Sequence, residues 1–257
     1  MAPGAGHSGI KQQIPLKIAM TAMKFTSTFS ALFIATLVLL TSCDFERVGP
    51  YEDDDRTYGL SNFDRLDMGS AFDITVQEGS NFSVEARGNR RDLDDLDIYT
   101  SNGTLHAKYR NHRNRRYDMR LTITMPTLRG VDFSGASRSE VSGFQGLREF
   151  DIKLTGASRA VFDVDANRTN IDLSGASDLD LKGASGILKG ELSGASKLEA
   201  FDYPVDEAEL DLSGASTARV RVVKRLDVTA SGASSVRYRG APELRSRLSG
   251  SSTVRQD

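Results

Sequence analysis

The residues that recur most regularly in this sequence are serines beside a glycine. A four-residue core of the form [Ser/Thr]-Gly-[Ala/Ser]-Ser begins at positions 134, 155, 174, 193, 213, 231 and 249. A serine acts as a nucleophile when a base, most often a histidine, lies within hydrogen-bond reach. The three histidines, His7, His106 and His112, do not recur with the cores. The repeated serines are therefore predicted to be structural.

Metal and cofactor chemistry finds little support in the residue types. Cys43 is the only cysteine, which excludes a multi-cysteine zinc site. The Gly-Gly-x-Gly-x-Asp motif of calcium-binding β-helices is absent. We expect no cofactor. Paired carboxylates such as Asp172 with Asp180 could serve a glycan-active enzyme, but an ordinary wet surface would carry the same residues.

The strongest basic cluster is KYRNHRNRRYDMR at 108–120, which follows the acidic segment RRDLDDLD at 90–97. The basic segment is a candidate patch for an anionic glycan, a lipopolysaccharide phosphate or another envelope polyanion. The alternative is a solvated hairpin tip that the nearby acids partly neutralise. The candidate residues are Lys108, Arg110, Arg113, Arg115, Arg116 and Arg120.

The spacing of the cores defines the element that must position these side chains. Successive cores start 18–21 residues apart, and apolar residues stand at alternate positions on both sides of each core. Alternation with a period of two indicates strands rather than helices. A repeat of this length is too short for a strand plus a crossover helix, but it fits one turn of a β-solenoid. The sequence therefore predicts an all-β, right-handed parallel β-helix.

The last serine of each core is predicted to point inward if side chains alternate strictly through the corner. These serines would then form a column in which each hydroxyl bonds its neighbours in the turns above and below. A sharp corner would break the alternation. The predicted structural ladder is Ser137, Ser158, Ser177, Ser196, Ser216, Ser234 and Ser252.

Residues 59–126 lack the core but keep a strand-like alternation. They are predicted to be irregular opening turns that cap the regular repeats of 127–257, so that 59–257 is a single β-solenoid domain. The stretch MGSAFDITV at 68–76 is predicted to be a degenerate first copy. A projecting hairpin is predicted near 99–123, where Ser-Asn-Gly supplies turn residues.

The N-terminal part of the sequence is predicted to be a targeting signal rather than part of the folded domain. Residues 23–42 combine a lysine with a mostly apolar stretch that is short for a spanning helix. They end in LTSC at 40–43, which resembles a bacterial lipobox and implies a lipid on Cys43. The alternative is an uncleaved membrane anchor with a free cysteine. Residues 1–22 are predicted to be a spurious or non-native extension, and 43–58 an acidic tether.

The opening FDRLDMGSAFDITVQEG and the recurring LSGAS cores, together with the lipobox, resemble the "putative auto-transporter adhesin, head GIN domain" family, formerly a domain of unknown function and common in Bacteroidetes-type envelopes. The resemblance covers roughly residues 60–257. It implies a right-handed parallel β-helix. It offers no catalytic residues that could be assigned to this chain.

The leading hypothesis is a non-enzymatic envelope lipoprotein, held in the outer membrane by its lipid, whose β-helical head adheres to or binds a surface glycan or envelope protein. The net charge of −2 and the predicted export argue against nucleic acid. One alternative is a periplasm-facing structural or assembly lipoprotein that binds other envelope proteins. A second is a glycan-active β-helix enzyme. The oligomeric state and the membrane face stay open.

Overall fold

Alternating apolar and polar residues form strands throughout the part of the chain that the structure describes. The structure is a computed structural model, and it describes residues 49–257. The elements are β1 (Asp53–Thr57), β2 (Arg65–Gly69), β3 (Phe72–Glu78), β4 (Ser83–Asn89), α1 (Arg90–Asp95), β5 (Leu96–Ser101), β6 (Thr104–Tyr109), β7 (Met119–Met125), β8 (Gly130–Ser134), β9 (Arg138–Ser142), β10 (Leu147–Leu154), β11 (Arg159–Leu173), β12 (Asp178–Leu192), β13 (Lys197–Leu212), β14 (Thr217–Ala230), β15 (Ser235–Arg239), β16 (Glu243–Leu248) and β17 (Thr253–Gln256).

Two parallel ladders run along the repeats, one on each side of the Ser-Gly-Ala-Ser corner. The strand segments that enter the corner form the approach ladder, in the order β2-β8-β10-β11-β12-β13-β14-β16. Those that leave it form the exit ladder, in the order β3-β9-β11-β12-β13-β14-β15-β17. The long strands β11 to β14 contribute to both. The predicted β-solenoid is confirmed, with about seven turns.

The glycines of the cores stack directly upon one another at the corner. Their φ angles lie between 68° and 84°, in the left-handed region that glycine adopts at least cost. The amide of the following residue donates to the carbonyl of the glycine one turn earlier, for example Ala195 N to Gly175 O at 2.8 Å. The corner therefore requires glycine for its backbone conformation and for the close approach of neighbouring turns.

The last serines of the cores point inward as a column, but most of their hydrogen bonds differ from the prediction. All six from Ser137 to Ser234 are at most 1% exposed, and Ser252 is half-buried. From Ser158 onward each hydroxyl donates to the carbonyl three residues earlier in its own core, as Ser196 does to Ser193 at 2.7 Å. A hydroxyl-to-hydroxyl bond between turns joins Ser137 to Ser158, at 3.1 Å. The tight corner brings the carbonyl of the same turn closer than the next hydroxyl.

The opening turns do not stack in chain order. Strands β6 and β7 pair in parallel with β2 and β3 on the side away from β8 and β9. The register pairs Met68 with Phe133 and Val76 with Val141, which confirms that 68–76 is a degenerate copy of the repeat. Strands β4 and β5 then add antiparallel to β7 and β6, and β1 adds antiparallel to β4.

Two sequence-based boundaries are corrected by this pairing. The hairpin consists of β5 and β6, residues 96–109, rather than 99–123, because β7 pairs in parallel with β3, the first strand of the exit ladder. The predicted tether 43–58 is too long at its C-terminal end, since Asp53–Thr57 is strand β1 of the sheet. The acidic segment at 90–97 includes the short helix α1, which the alternation of neighbouring strands gave no reason to expect.

Candidate functional site

The loop of residues 110–118 occupies a corner position in the solenoid. Ala107 pairs with Met68 on one side of the loop, and Met119 pairs with Phe72 on the other. The loop therefore lies beyond the corner at 69–71, in line with the glycine corners of the later turns. It is longer than those corners, and its extra length carries most of the basic cluster.

Arg115 fixes the shape of this loop from inside. Its side chain is only 14% exposed and pairs with the buried carboxylates of Asp95 and Asp92 on α1. The guanidinium carbon lies 3.5 Å from the centre of the Tyr109 ring, a cation–π geometry. Arg115 also donates to the carbonyl of Asn111 at 3.1 Å, and the Asn111 amide donates to Asp95. Arg115 is a structural residue rather than a free cation.

The buried groups around Arg115 have shifted pKa values. Burial raises the pKa of Asp92, although Arg115 opposes the shift. Burial acts on Asp95 in the same direction, but the hydrogen bond from Asn111 and the charge of Arg115 outweigh it and lower its pKa. Burial raises the pKa of Tyr109 to about 12. The lowered pKa of Asp95 is consistent with its ion pair with Arg115.

The remaining basic residues divide into two groups. Arg110 and Arg120 point to carboxylates outside the loop, Asp97 and Asp73, each at 3.7 Å. The others border a cleft of about 560 Å³ between the loop and the corner at 69–71. Its lining includes Lys108, His112, Arg113, Arg115 and Arg116. We call this the basic cleft.

Arg113 and Arg116 are the exposed guanidiniums of the basic cleft. Within residues 49–257, neither their side chains nor that of His112 form a hydrogen bond or a close ion pair. Lys108 is exposed and lies 5.5 Å from the ring of Tyr99. The cleft therefore offers cations on a loop whose conformation Arg115 fixes, an arrangement that suits an anionic group.

Ser70 at the edge of the basic cleft was not singled out from the sequence. Its φ is 125°, in a region that side chains other than glycine rarely adopt. The register places Gly69 opposite Ser134, so Ser70 stands where the repeats have Gly135. The sequence carried this signal, because MGSA at 68–71 reverses the order of glycine and serine found in the cores. The strained residue lies at the cleft rather than at a regular corner.

The other candidate residues lie apart from the basic cleft. Asp172 is on the approach ladder and Asp180 on the exit ladder, on either side of the corner at 174–177. Among the residues that the structure describes, no group of three or more histidine, cysteine, aspartate or glutamate side chains could hold a metal ion. Cys43 and the predicted signal segment lie outside residues 49–257. No helix within that range is long and apolar enough to span a membrane.

Known proteins share both the sequence pattern and the fold. Residues 62–242 match the family described as "putative auto-transporter adhesin, head GIN domain". A "putative adhesin" from Bacteroides fragilis superposes with a TM-score of 0.75 at 21% identity, covering 80% of this chain and 97% of that one. A "putative adhesin" from Parabacteroides merdae gives 0.66 at 13% identity over 80% and 96% of the two chains.

A "putative lipid binding protein" from Parabacteroides distasonis gives a TM-score of 0.63 at 15% identity, covering 80% of this chain and 96% of that one. At these identities the structures support the fold alone. A comparison with curated protein sequences found no match. Because the family match spans most of the solenoid, this chain belongs to the "putative auto-transporter adhesin, head GIN domain" family.

Proposed function

We propose that this chain is a non-enzymatic lipoprotein of the cell envelope whose β-solenoid head binds an anionic ligand at the cell surface. The family and the adhesin-named structures of the same fold support a binding role. The lipobox-like LTSC at 40–43 supports an N-terminal lipid on Cys43 and outer-membrane anchoring. In this proposal the solenoid presents the basic cleft to solvent while the lipid holds the chain in the membrane.

The observation that carries the proposal is that the arginines of the basic cluster have two different roles. Arg115 holds the loop in place through its ion pair with Asp95 and its cation–π contact with Tyr109. Arg113 and Arg116 stay exposed beside it. Cations held on a fixed loop lose less conformational freedom when they bind than cations on a free chain. The arrangement favours a ligand-binding role over that of a hairpin tip whose charges are simply neutralised.

The ligand chemistry is a phosphate, sulfate or carboxylate group of an envelope polyanion. Two sources share this chemistry, a phosphorylated lipid headgroup and an acidic glycan. The lipid-binding name of the Parabacteroides distasonis structure favours testing the first source.

A binding experiment on the full-length protein in detergent tests the cleft. Lipopolysaccharide vesicles and dextran sulfate are the two probes, with phosphatidylcholine vesicles and neutral dextran as controls. We expect R113S+R116S to lose about tenfold in affinity for one of the anionic probes, since two charge-assisted contacts are removed. The double variant R138S+R148S removes two exposed arginines elsewhere and should bind normally. Equal binding by wild type and R113S+R116S would contradict the proposal.

A further inference from the structure

A second basic surface lies on the exit ladder, in the last turns of the solenoid. Residues Arg219, Arg237 and Arg255 pair in register and form one outward column. Residues Arg221 and Arg239 form the adjacent column. We call these five residues the arginine array. It belongs to turns far along the ladders from the basic cleft, which lies among the opening turns.

Like charges are stacked in both columns of the arginine array. At other positions opposite charges meet between turns, as Lys153 does with Asp132 at 2.8 Å and Lys189 with Glu209 at 2.6 Å. Like charges directly opposite each other on neighbouring strands destabilise a sheet. Three of the five guanidiniums of the arginine array contact carboxylates, and these carboxylates are only two, Glu199 and Asp257. The surface therefore keeps an excess of positive charge at a cost in stability.

Part of the arginine array is held in place by its neighbours. The Arg239 guanidinium carbon lies 4.0 Å from the centre of the Phe201 ring, and Arg239 Nη2 donates to the Asp257 carboxylate at 2.8 Å. Arg219 pairs with Glu199 at 3.3 Å. Arg221 and Arg255 are exposed, and their side chains form no hydrogen bond or ion pair within residues 49–257. The array thus combines fixed and open guanidiniums on one sheet face.

We propose that the arginine array binds a linear anionic polysaccharide that carries one acidic group per sugar. Guanidiniums in a column repeat with the spacing of parallel strands, about 4.8 Å. Neighbouring columns are two residues apart along a strand, about 6.6 Å. An extended polysaccharide repeats its acidic groups at comparable intervals, whereas a lipid headgroup offers no such regular line. Guanidinium pairs well with carboxylate and sulfate because it presents several donors in one plane.

A second copy of this chain is the competing occupant. Asp172, Glu191 and Asp211 form an exposed outward column on the approach ladder, with the same spacing as the arginines. In the adjacent column Lys189 is paired with Glu209 at 2.6 Å, so its charge does not oppose such a contact. The acidic column offers three carboxylates to the five arginines, whereas a polysaccharide can follow both arginine columns.

The test measures binding of polygalacturonate to the full-length protein in detergent, with galacturonic acid and neutral dextran as controls. We expect the polymer to bind and the monomer not to bind at matched carboxylate concentration. The variant R221S+R255S removes the two open arginines and should lose about tenfold in affinity for the polymer. Binding should also weaken as salt is raised, because exposed charges are screened.

Two matched variants separate this surface from the rest of the molecule. R138S+R148S removes the same charge from other exposed sites and should keep polygalacturonate affinity within about twofold of wild type. R113S+R116S removes the arginines of the basic cleft, and R221S+R255S should lower polymer affinity about tenfold in that background as well, so failure of the cleft proposal leaves this result unaffected. Unchanged affinity in R221S+R255S, or an equal loss in R138S+R148S, would overturn the proposal. So would a monomer–dimer equilibrium by sedimentation that R221S+R255S abolishes without changing polymer binding.

Discussion

The carbonyl oxygen of Gly175 lies 2.5 Å from the point where a Cβ on Gly194 would stand. The same relationship, at 2.4–2.7 Å, joins each core glycine from Gly156 to Gly250 with the core glycine one turn earlier. A real Cβ does not approach a carbonyl oxygen that closely. The seven-fold recurrence of the core is thus explained by backbone packing at one corner, without any role in catalysis.

Replacing one core glycine by alanine should therefore destabilise the solenoid strongly. We expect Gly194→Ala to lower the free energy of unfolding by about 3 kcal/mol or more, since it combines a positive φ with displacement of the neighbouring turn. Gly146→Ala is the matched control, because Gly146 has a φ of 64° but open space around its Cβ position. It should cost about 1 kcal/mol. Equal losses for the two variants in urea unfolding would contradict the stacking argument.

The core serines should contribute to stability independently of one another, except for the pair Ser137 and Ser158. Ser177→Ala and Ser196→Ala each remove one hydrogen bond within a core and should cost about 1 kcal/mol apiece. Their effects should add in the double variant. Ser137→Ala and Ser158→Ala share a direct hydroxyl bond, so their double variant should deviate from additivity by about 0.5 kcal/mol or more. Double-mutant cycles in urea unfolding measure both terms, and strong coupling between Ser177 and Ser196 would contradict the geometry.

Buried Arg115 and exposed Arg113, both in the loop of residues 110–118, should differ in their effect on stability. Arg115→Gln leaves Asp95 buried without its cationic partner and should cost about 2 kcal/mol or more. Arg113→Ser changes an exposed side chain and should stay within about 0.5 kcal/mol of wild type. Thermal and urea unfolding of the two variants measure the difference. A loss as large for Arg113→Ser as for Arg115→Gln would show that Arg115 is not the anchor of the loop.

Tyr109 should weaken the fold in alkaline solution. Its pKa is raised by burial to about 12 in the folded state, whereas an unfolded tyrosine titrates near 10. Between these values the folded state retains a proton that the unfolded state has lost, so stability falls as the pH rises from about 10 to about 12. Tyr109→Phe removes the titrating hydroxyl and should flatten this part of the stability curve. An identical pH dependence for wild type and variant would contradict the assignment.

The regular part of the fold could be predicted because its determinants are local and repeated. Each core carries its glycine at the corner, and alternating apolar residues such as Leu173 and Leu192 stack in one buried column. Glu199, Arg219 and Arg237 each stand six residues after the start of their core, and the register joins them in one outward column. A repeated sequence predicts its own strand register, because equivalent residues of successive turns must lie next to each other.

The opening turns and the basic cleft could not be predicted to the same depth. Whether β7 pairs with β3 or folds back on β6 depends on contacts between segments far apart in the chain. The burial of Arg115 depends on the short helix α1, whose acidic residues looked like ordinary surface charge. Composition identified the basic cluster, but it could not predict that Arg110 pairs with Asp97 and Arg120 with Asp73, away from the cleft.

Proteinase treatment of intact cells tests most directly whether the head acts outside the cell. An epitope tag placed after Asp257 is an unstructured extension that a proteinase cleaves even if the solenoid resists digestion. We predict that the tag is lost from intact cells while a periplasmic control protein stays whole, and that Cys43→Ala abolishes the membrane association of the chain. Protection of the tag until the outer membrane is broken would contradict a role at the cell surface.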